Sequence, residues 1–149
     1  VLQAKIAKEE AKKLGLTLVE ATVSSSNEIQ QVVSSVIDKV DAIYIPTDNT
    51  FAAGMATVAL VTNEAKVPVF CGAQAMATDG GLACYGIDYY DLGYKTGLQA
   101  VKVLKGEADV STMPIEYLSG DDLKLVVNND TLKTLNMEIP SSLQDKLVK

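Results

Sequence analysis

Apolar side chains recur along the chain at two spacings, and their alternation predicts an α/β fold. In residues 1–14 they stand three and four positions apart, which is typical of one face of a helix. Gly15 follows where a C-cap glycine belongs, and the stretch from Leu16 to Val23 is predicted to be a strand. Helices that alternate with strands indicate a parallel sheet flanked by helices on both faces.

The same alternation continues to the end of the chain. An amphipathic helix is predicted after the polar loop Ser24–Asn27, and another from Asp88 to Lys105. The stretch Gly106–Gly120 is the most loop-like and is the candidate connection between lobes. The other predicted elements are strands at Val40–Ile45, Lys66–Gly72, Leu82–Ile87, Met113–Tyr117 and Asp122–Val127, and helices at Thr50–Ala65, Gln74–Thr78, Leu132–Leu135 and after Pro140.

Composition limits the classes of protein and of partner. The 149 residues suffice for one domain with a real core, and 48% hydrophobic with only 5% aromatic residues suits parallel strands covered by helices. The net charge is −6 without a basic block, which argues against nucleic-acid binding through phosphate contacts. No apolar run reaches the length of about 18 residues that a membrane span requires.

Histidine is absent, which excludes a histidine acid–base couple and a histidine zinc site. No cofactor is expected, because phosphate-loop and dinucleotide glycine patterns are also missing. Cys71 and Cys84 stand thirteen residues apart and lack the C-x-x-C spacing. They are interpreted as two small buried residues, with a disulfide or a functional thiol as alternatives.

Val1 already lies within a predicted helix, without an initiator methionine, a cap residue or a preceding strand. We therefore expect the chain to be a fragment of a longer protein. No secretion signal is visible, and any such signal is expected to lie upstream.

The predicted centre of the protein is the stretch of residues 40–54. A buried strand ends in a proline, the polar residues Thr47, Asp48 and Asn49 follow, and a helix of small residues begins. Open α/β sheets bind ligands where strands end and helices begin. Asp48 is predicted to accept from a ligand ammonium or hydroxyl while Thr47 and Asn49 orient it, and helix capping by Asp48 is the alternative.

Further strand ends also carry polar or small residues. Gly72 is predicted to let a ligand approach the backbone, and Gln74 either contacts the ligand or is a solvated loop residue. Asp88 and Tyr89 open the helix after the next strand, where a tyrosine suits a pocket wall; capping and packing are the alternative. The loop Ser24–Ser26 is a fourth strand end, for which capping is favoured.

These loops are predicted to form one binding cleft, because the carboxyl ends of parallel strands share one edge of a sheet. No nucleophile–base pair and no Gly-x-Ser-x-Gly elbow is present among them. Asp48 and Asp88 are conceivable as an acid–base pair, but nothing sets their separation. Binding without chemistry is the simpler hypothesis, and the chain is not expected to be an enzyme.

Four stretches together resemble the substrate-binding proteins of ABC importers, above all the family of tryptophan- and phenylalanine-binding lipoproteins. The resemblance implies a type I periplasmic-binding-protein fold, in which two Rossmann-like lobes joined by three crossovers trap a ligand. It implies that this chain is mainly the carboxyl-terminal lobe, with residues 88–120 packed on a missing amino-terminal lobe. The four stretches are Ala42–Thr50, Asn63–Phe70, Tyr85–Tyr94 and Ala100–Glu107.

The resemblance also implies an extracytoplasmic protein, either a membrane-anchored lipoprotein or a periplasmic one. Such a protein binds a small ligand, here an aromatic or hydrophobic amino acid, and delivers it to an ABC permease. The ligand's ammonium suits Asp48 or Asp88, and the Gly72 region corresponds to a neighbouring contact. The chain contains no arginine, so an arginine clamp for the carboxylate would have to come from the missing lobe.

Two other functions stay open at this point. One is a ligand-sensing domain of a transcription regulator or receptor on the same fold, and the other is an enzyme on a doubly wound sheet. The isolated fragment is expected to bind ligand weakly or not at all, because the opposite wall of the cleft is missing. The apolar face of the helix after Asp88 is expected to find another partner, by dimerisation or swapping.

Overall fold

The structure is a computed structural model that describes residues 2–118 and 120–147, with the backbone alone for Asp121. Val1 and Ser119, which belong to the predicted helix 1–14 and the predicted loop 106–120, lie outside the described residues, as do Val148 and Lys149. The helices are α1 (Leu2–Lys13), α2 (Ile29–Val36), α3 (Asn49–Ala53), α4 (Met55–Glu64), α5 (Gln74–Thr78), α6 (Tyr89–Leu104), α7 (Asn129–Leu135) and α8 (Ser141–Gln144). The strands are β1 (Ile43–Ile45), β2 (Val69–Cys71), β3 (Ala83–Ile87) and β4 (Leu123–Val127), and short 3-10 helices lie at Ser26–Glu28, Ile37–Lys39 and Gly120–Asp122.

The strands form one sheet in the order β1-β2-β3-β4. β1, β2 and β3 are parallel, with Ile45 opposite Cys71 and Cys71 opposite Cys84, as predicted. β4 runs antiparallel to β3, with Ile87 opposite Leu123, so the prediction of a purely parallel sheet is wrong for this strand. The chain leaves the carboxyl end of β3 through α6 and returns to that same end, and a strand that starts there must run in the opposite direction.

The main hydrophobic core lies between one face of the sheet and helices α2, α4 and α5. Ile29 of α2, Met55 of α4 and Met76 of α5 are at most 1% exposed. The helix predicted at Thr50–Ala65 is divided at Gly54 into α3 and α4, and Ile29 packs where a Cβ of residue 54 would stand. The strand side chains in this core are Ile45, Val69, Cys71 and Cys84.

Two segments that were predicted to be strands lie outside the sheet. Leu16–Val23 has no strand structure, and its residues Leu16 and Leu18 are exposed. Met113–Tyr117 is also irregular, with most of its side chains exposed. A strand needs a neighbour to which its N–H and C=O groups can bond, and within the described chain neither segment has one. Both strand predictions are therefore wrong.

The opposite face of the sheet is only partly covered. Tyr44, Phe70 and Tyr85 point away from the core, alternate with core residues along β1, β2 and β3, and are exposed. The tail that contains α8 lies beside these rings and leaves a groove of about 570 Å3. The α/β class is thus confirmed, with a mixed sheet and with helices that cover its two faces unequally.

Residues 89–118, called the arm below, consist of α6 and the irregular segment 105–118, and none of them is buried. Leu98, Val101 and Leu104 of α6 are 49%, 43% and 87% exposed. Lys95 and Glu116 lie 3.8 Å apart and join the two parts of the arm. Of the described helices, none combines the length and the apolar character needed to cross a membrane, α6 included.

Candidate functional site

The carboxyl ends of β1, β2 and β3 lie at one edge of the sheet, because these strands are parallel. α3 begins at Asn49, α5 at Gln74 and α6 at Tyr89, in each case two to four residues after a strand. α3 contacts α5, and it also contacts the 3-10 helix Ser26–Glu28. The loops after β1 and β2 and the serine loop are thus neighbours in space, and the loop after β3 lies at the same edge of the sheet.

Gly72 is the point at which the loops after β1 and β2 meet. A Cβ on this residue would stand 2.5 Å from the backbone N of Thr47 and 2.9 Å from its Oγ1. A Cβ on Gly86 of β3 would stand 3.5 Å from the carbonyl oxygen of Gly72. Thr47, Gly72 and Gly86 therefore form a row across the three strand ends. The close approach that Gly72 permits is that of the Thr47 backbone, and its contact with a ligand stays a prediction.

Asp48 caps α3. Its Oδ1 accepts hydrogen bonds from the backbone N–H of Thr50 at 2.8 Å and of Phe51 at 3.1 Å, which confirms capping as one role of the side chain. The residue is exposed, and its Oδ2 has no hydrogen-bond partner among the residues that the structure describes. A capping carboxylate keeps its charge, so Oδ2 can still accept from a cationic group. Thr47 and Asn49 are exposed on either side of it.

Asp88 caps α6 and is also bound by a lysine. Its Oδ1 accepts from the backbone N–H of Tyr90 at 2.8 Å, and its Oδ2 accepts from Lys124 Nζ at 3.1 Å. Lys124 donates in addition to Oδ2 of Asp91 at 2.5 Å. The hydrogen bond from Lys124 holds the pKa of Asp88 below its usual value, and Asp91 together with Asp88 raises the pKa of Lys124. Both carboxylate oxygens of Asp88 are therefore engaged within the chain.

The other predicted residues lie at the same edge with fewer polar contacts. Gln74 is half-buried at the start of α5, and Tyr89 is 59% exposed at the start of α6. The capping expected of the serine loop is wrong at Ser25, whose side chain makes no capping hydrogen bond. Instead Glu28 closes this loop, because its Oε2 accepts from the backbone N–H of Ser24 at 2.8 Å.

Two features of this region were not predicted from the sequence. Lys124 lies in a strand that was recognised by its apolar residues alone, and its partners are 33 and 36 positions earlier in the chain. The groove on the open sheet face contains none of the predicted site residues. A signal for this groove was present in the sequence. Tyr44 and Phe70 each stand between two apolar neighbours in a predicted strand, so their rings must lie on the face opposite to those neighbours.

Cys71 and Cys84 are free, buried and opposite each other on adjacent strands. Burial raises the pKa of Cys71 to about 12, with a further contribution from Cys84, and burial also raises the pKa of Cys84. Their interpretation as small core residues is confirmed. Within residues 2–118 and 120–147, no group of three or more carboxylates and thiols is placed to hold a metal ion.

Comparison with known proteins gives a consistent family. Residues 1–148 match the family described as ABC transporter substrate binding protein. A tyrosine-binding protein of Clostridioides difficile strain R20291 is 40% identical over 139 residues, which are 93% of this chain and 39% of that protein. The chain therefore spans well under two thirds of the length of the curated relative that it matches.

Three solved structures share the fold. The ligand-free, open structure of a Clostridium difficile substrate-binding protein with adhesive properties is 42% identical, with a TM-score of 0.78. A Streptococcus pneumonia ABC domain in complex with L-Trp is 39% identical and a conserved domain protein of Vibrio cholerae is 29% identical, both with a TM-score of 0.84. Each match covers 98% of this chain and 48% of the other chain.

Proposed function

This chain belongs to the ABC transporter substrate-binding protein family, and we propose that it is mainly the carboxyl-terminal lobe of a protein that binds an aromatic amino acid between two lobes. The observation that carries the proposal is the row of adjoining strand-end loops, among them Asp48, whose Oδ2 has no hydrogen-bond partner within the described residues. The matched 48% of each solved relative supports a second lobe of similar size.

The ammonium of the ligand is assigned to Asp48 rather than to Asp88. Asp88 already accepts one hydrogen bond through each carboxylate oxygen, and one of its donors is the Lys124 ammonium. A second ammonium at Asp88 would have to displace Lys124 or share its oxygen. Asp48 offers a full negative charge and one oxygen with no hydrogen bond within the described chain.

The aromatic class of the ligand rests on two relatives, one named for tyrosine binding and one solved with L-Trp. Tyr89 presents an exposed ring beside the strand ends, where it can pack against an aromatic side chain. The chain contains no arginine that could bind the ligand carboxylate. Neutral donors are proposed in its place, namely the side chains of Thr47, Asn49 and Gln74 and the backbone near Gly72.

The arm is the segment proposed to pack on the amino-terminal lobe. Its residues are not buried against the body, and Leu98, Val101 and Leu104 leave an apolar strip on α6 exposed. Packing against the other lobe would remove this strip from water. A fragment that lacks that lobe would cover the strip by dimerisation or by swapping.

The family also motivates the proposed location and the proposed partner. An importer's binding protein works outside the cytoplasm, as an anchored lipoprotein or in a periplasm, and presents its closed form to an ABC permease. The relatives are described as binding proteins, which favours ligand capture without turnover over an enzyme or a sensing domain.

The test is titration calorimetry of the intact protein with L-tyrosine and L-tryptophan. The Asp48→Asn variant keeps a capping oxygen but loses the charge, so α3 should stay intact while affinity falls about tenfold, or 1.4 kcal/mol. Indole-3-propionate, which lacks the ammonium, should bind weakly and equally to wild type and variant. Asp130→Asn is the matched control, because that carboxylate is 94% exposed on α7, away from the strand ends.

The same titration has two outcomes that contradict the proposal. An intact protein that binds no amino acid would refute ligand capture as its function. Equal affinity of wild type and Asp48→Asn for L-tryptophan would leave ligand capture standing but remove Asp48 from the site. The isolated chain, titrated beside the intact protein, should bind at least tenfold more weakly because it holds one wall of the cleft.

A further inference from the structure

The arm leaves and rejoins the sheet body through two neighbouring strands. β3 passes into α6 at Asp88, and the chain returns through the 3-10 helix Gly120–Asp122 into β4. Ile87 at the end of β3 pairs with Leu123 at the start of β4. We call this pair of strand ends, through which the chain enters and leaves the arm, the neck. Any change in the direction of the arm must be absorbed at the neck.

Lys124 joins the two sides of the neck. It lies on β4 directly after Leu123, and its ammonium reaches Asp88 at 3.1 Å and Asp91 at 2.5 Å. Asp88 is the N-cap of α6 and Asp91 lies in its first turn, so both carboxylates move with the helix. The three side chains are between 27% and 44% exposed, so water and salt can reach the cluster.

Packing alone does not fix the direction of α6. None of its residues is buried, and most of its large apolar side chains, such as Leu98, Val101 and Leu104, are exposed. Exposed ion pairs generally add little to the free energy of unfolding. A contact at a pivot has a different effect, because a small displacement at the neck is amplified along the helix.

We propose that Lys124 is a positioning residue of the hinge, which sets the angle between the arm and the sheet body by holding Asp88 and Asp91 across the neck. This inference rests on the proposed function in one respect: an arm that carries the other lobe converts the neck angle into the width of the ligand cleft. Lys124 is not proposed to touch the ligand. It acts through the orientation of α6 and hence through the balance between open and closed forms.

The size of the effect follows from the geometry of α6. The helix has 16 residues, and Lys102 is its fourteenth. With a rise of 1.5 Å per residue, Lys102 lies about 20 Å from the neck, and a swing of about 15° moves it by about 5 Å. Such a shift is well within the resolution of pulsed electron-spin distance measurement.

The experiment places spin labels at Lys102→Cys on the arm and Asp130→Cys on α7, both exposed, in the intact protein without ligand. Cys71 and Cys84 are expected to stay unlabelled because they are buried. Wild type should give one narrow distance distribution. Lys124→Met should shift it by about 5 Å or broaden it to that extent, and Lys124→Arg, which keeps the charge, should restore it.

Controls separate a hinge effect from general loss of structure. Lys13→Met removes an ion pair of intermediate length, to Glu10 at 2.7 Å in α1, and should leave the distribution unchanged. About 1 M salt, which shortens the screening length to about 3 Å, should shift the wild-type distribution towards that of Lys124→Met. The salt measurement needs no mutation, so it tests whether ion pairs hold the arm even if the variant folds poorly.

Overlapping distributions for wild type, Lys124→Met and wild type in high salt would overturn the inference. That result is distinct from failure of the proposed function, since the distances are measured without ligand. A protein that binds no amino acid could still show the hinge effect. A protein that binds L-tryptophan but shows no change in distance would keep its function and lose this hinge residue.

Discussion

Replacing Gly72 with alanine tests how the strand ends are packed. The new Cβ would stand 2.5 Å from the backbone N of Thr47, whereas ordinary van der Waals contact begins at 3.4 Å. It would also meet the Oγ1 of Thr47 at 2.9 Å and the carbonyl carbon of Pro46 at 3.0 Å. Two of these three atoms are backbone, so the contact cannot be relieved by turning a side chain. The loop after β1 must move by about 1 Å.

Overpacking of this kind costs about 1–3 kcal/mol of the free energy of unfolding. Gly86→Ala is the matched control, because it adds the same methyl group at the neighbouring strand end. Its closest contact is a side-chain atom, the Sγ of Cys84 at 3.1 Å, which can shift. Alanine in a strand also recovers about 0.5–1 kcal/mol relative to glycine, so we expect a net change near zero for Gly86→Ala.

Urea denaturation of the intact protein, with titration calorimetry on the same samples, provides both readouts. Gly72→Ala should be less stable than Gly86→Ala by about 2 kcal/mol. It should also bind L-tryptophan more weakly, because the displaced loop carries Thr47 and Asp48. If Gly72→Ala matches wild type in stability and affinity, Thr47 does not rest against Gly72 and the row of strand ends described above is wrong.

Two further predictions concern the buried thiols and the ion pairs at the neck. Burial raises the pKa of Cys71 to about 12 and also raises that of Cys84. Both thiols should therefore resist iodoacetamide at pH 8 in the folded protein and react fully in urea. Rapid labelling without urea would contradict their burial. The pKa of Asp88 is lowered from 3.8 and that of Lys124 is raised from 10.5, so the stability difference between wild type and Lys124→Met should be constant between pH 5 and 9. The difference should fade as pH falls through the lowered pKa of Asp88 or rises through the raised pKa of Lys124. Urea titrations of both proteins across this pH range measure it. If the stability difference disappears near pH 7, another titrating group is responsible.

The strand-end edge was the part of the fold that periodicity predicted best. The strands at Val40–Ile45, Lys66–Gly72 and Leu82–Ile87 were each followed by a helix signal, and right-handed crossovers then require parallel neighbours. Parallel neighbours end at one edge, so the convergence of Thr47, Gly72 and Asp88 needed no knowledge of side-chain contacts.

The predictions of strands failed where they depended on pairing between segments that are distant in the sequence. Leu16–Val23 has the apolar pattern of a strand, but a strand exists only beside another strand, and local pattern does not contain that partner. The direction of β4 was missed for a related reason. Its residues would fit either orientation, and the outcome depends on where the arm returns to the sheet.

The same limit explains why the two candidate carboxylates could not be ranked from the sequence. Asp48 and Asp88 both follow a buried strand, both precede a helix, and both cap that helix in the structure. They differ in one long-range contact, since Lys124 returns on β4 to bind Asp88 and no lysine in the described chain reaches Asp48. Because the ammonium of Lys124 already compensates Asp88, we propose Asp48 as the carboxylate that pairs with a ligand cation. The proposed roles, ligand binding for Asp48 and a hinge contact with Lys124 for Asp88, therefore depend on the antiparallel strand β4, which was not predicted from periodicity.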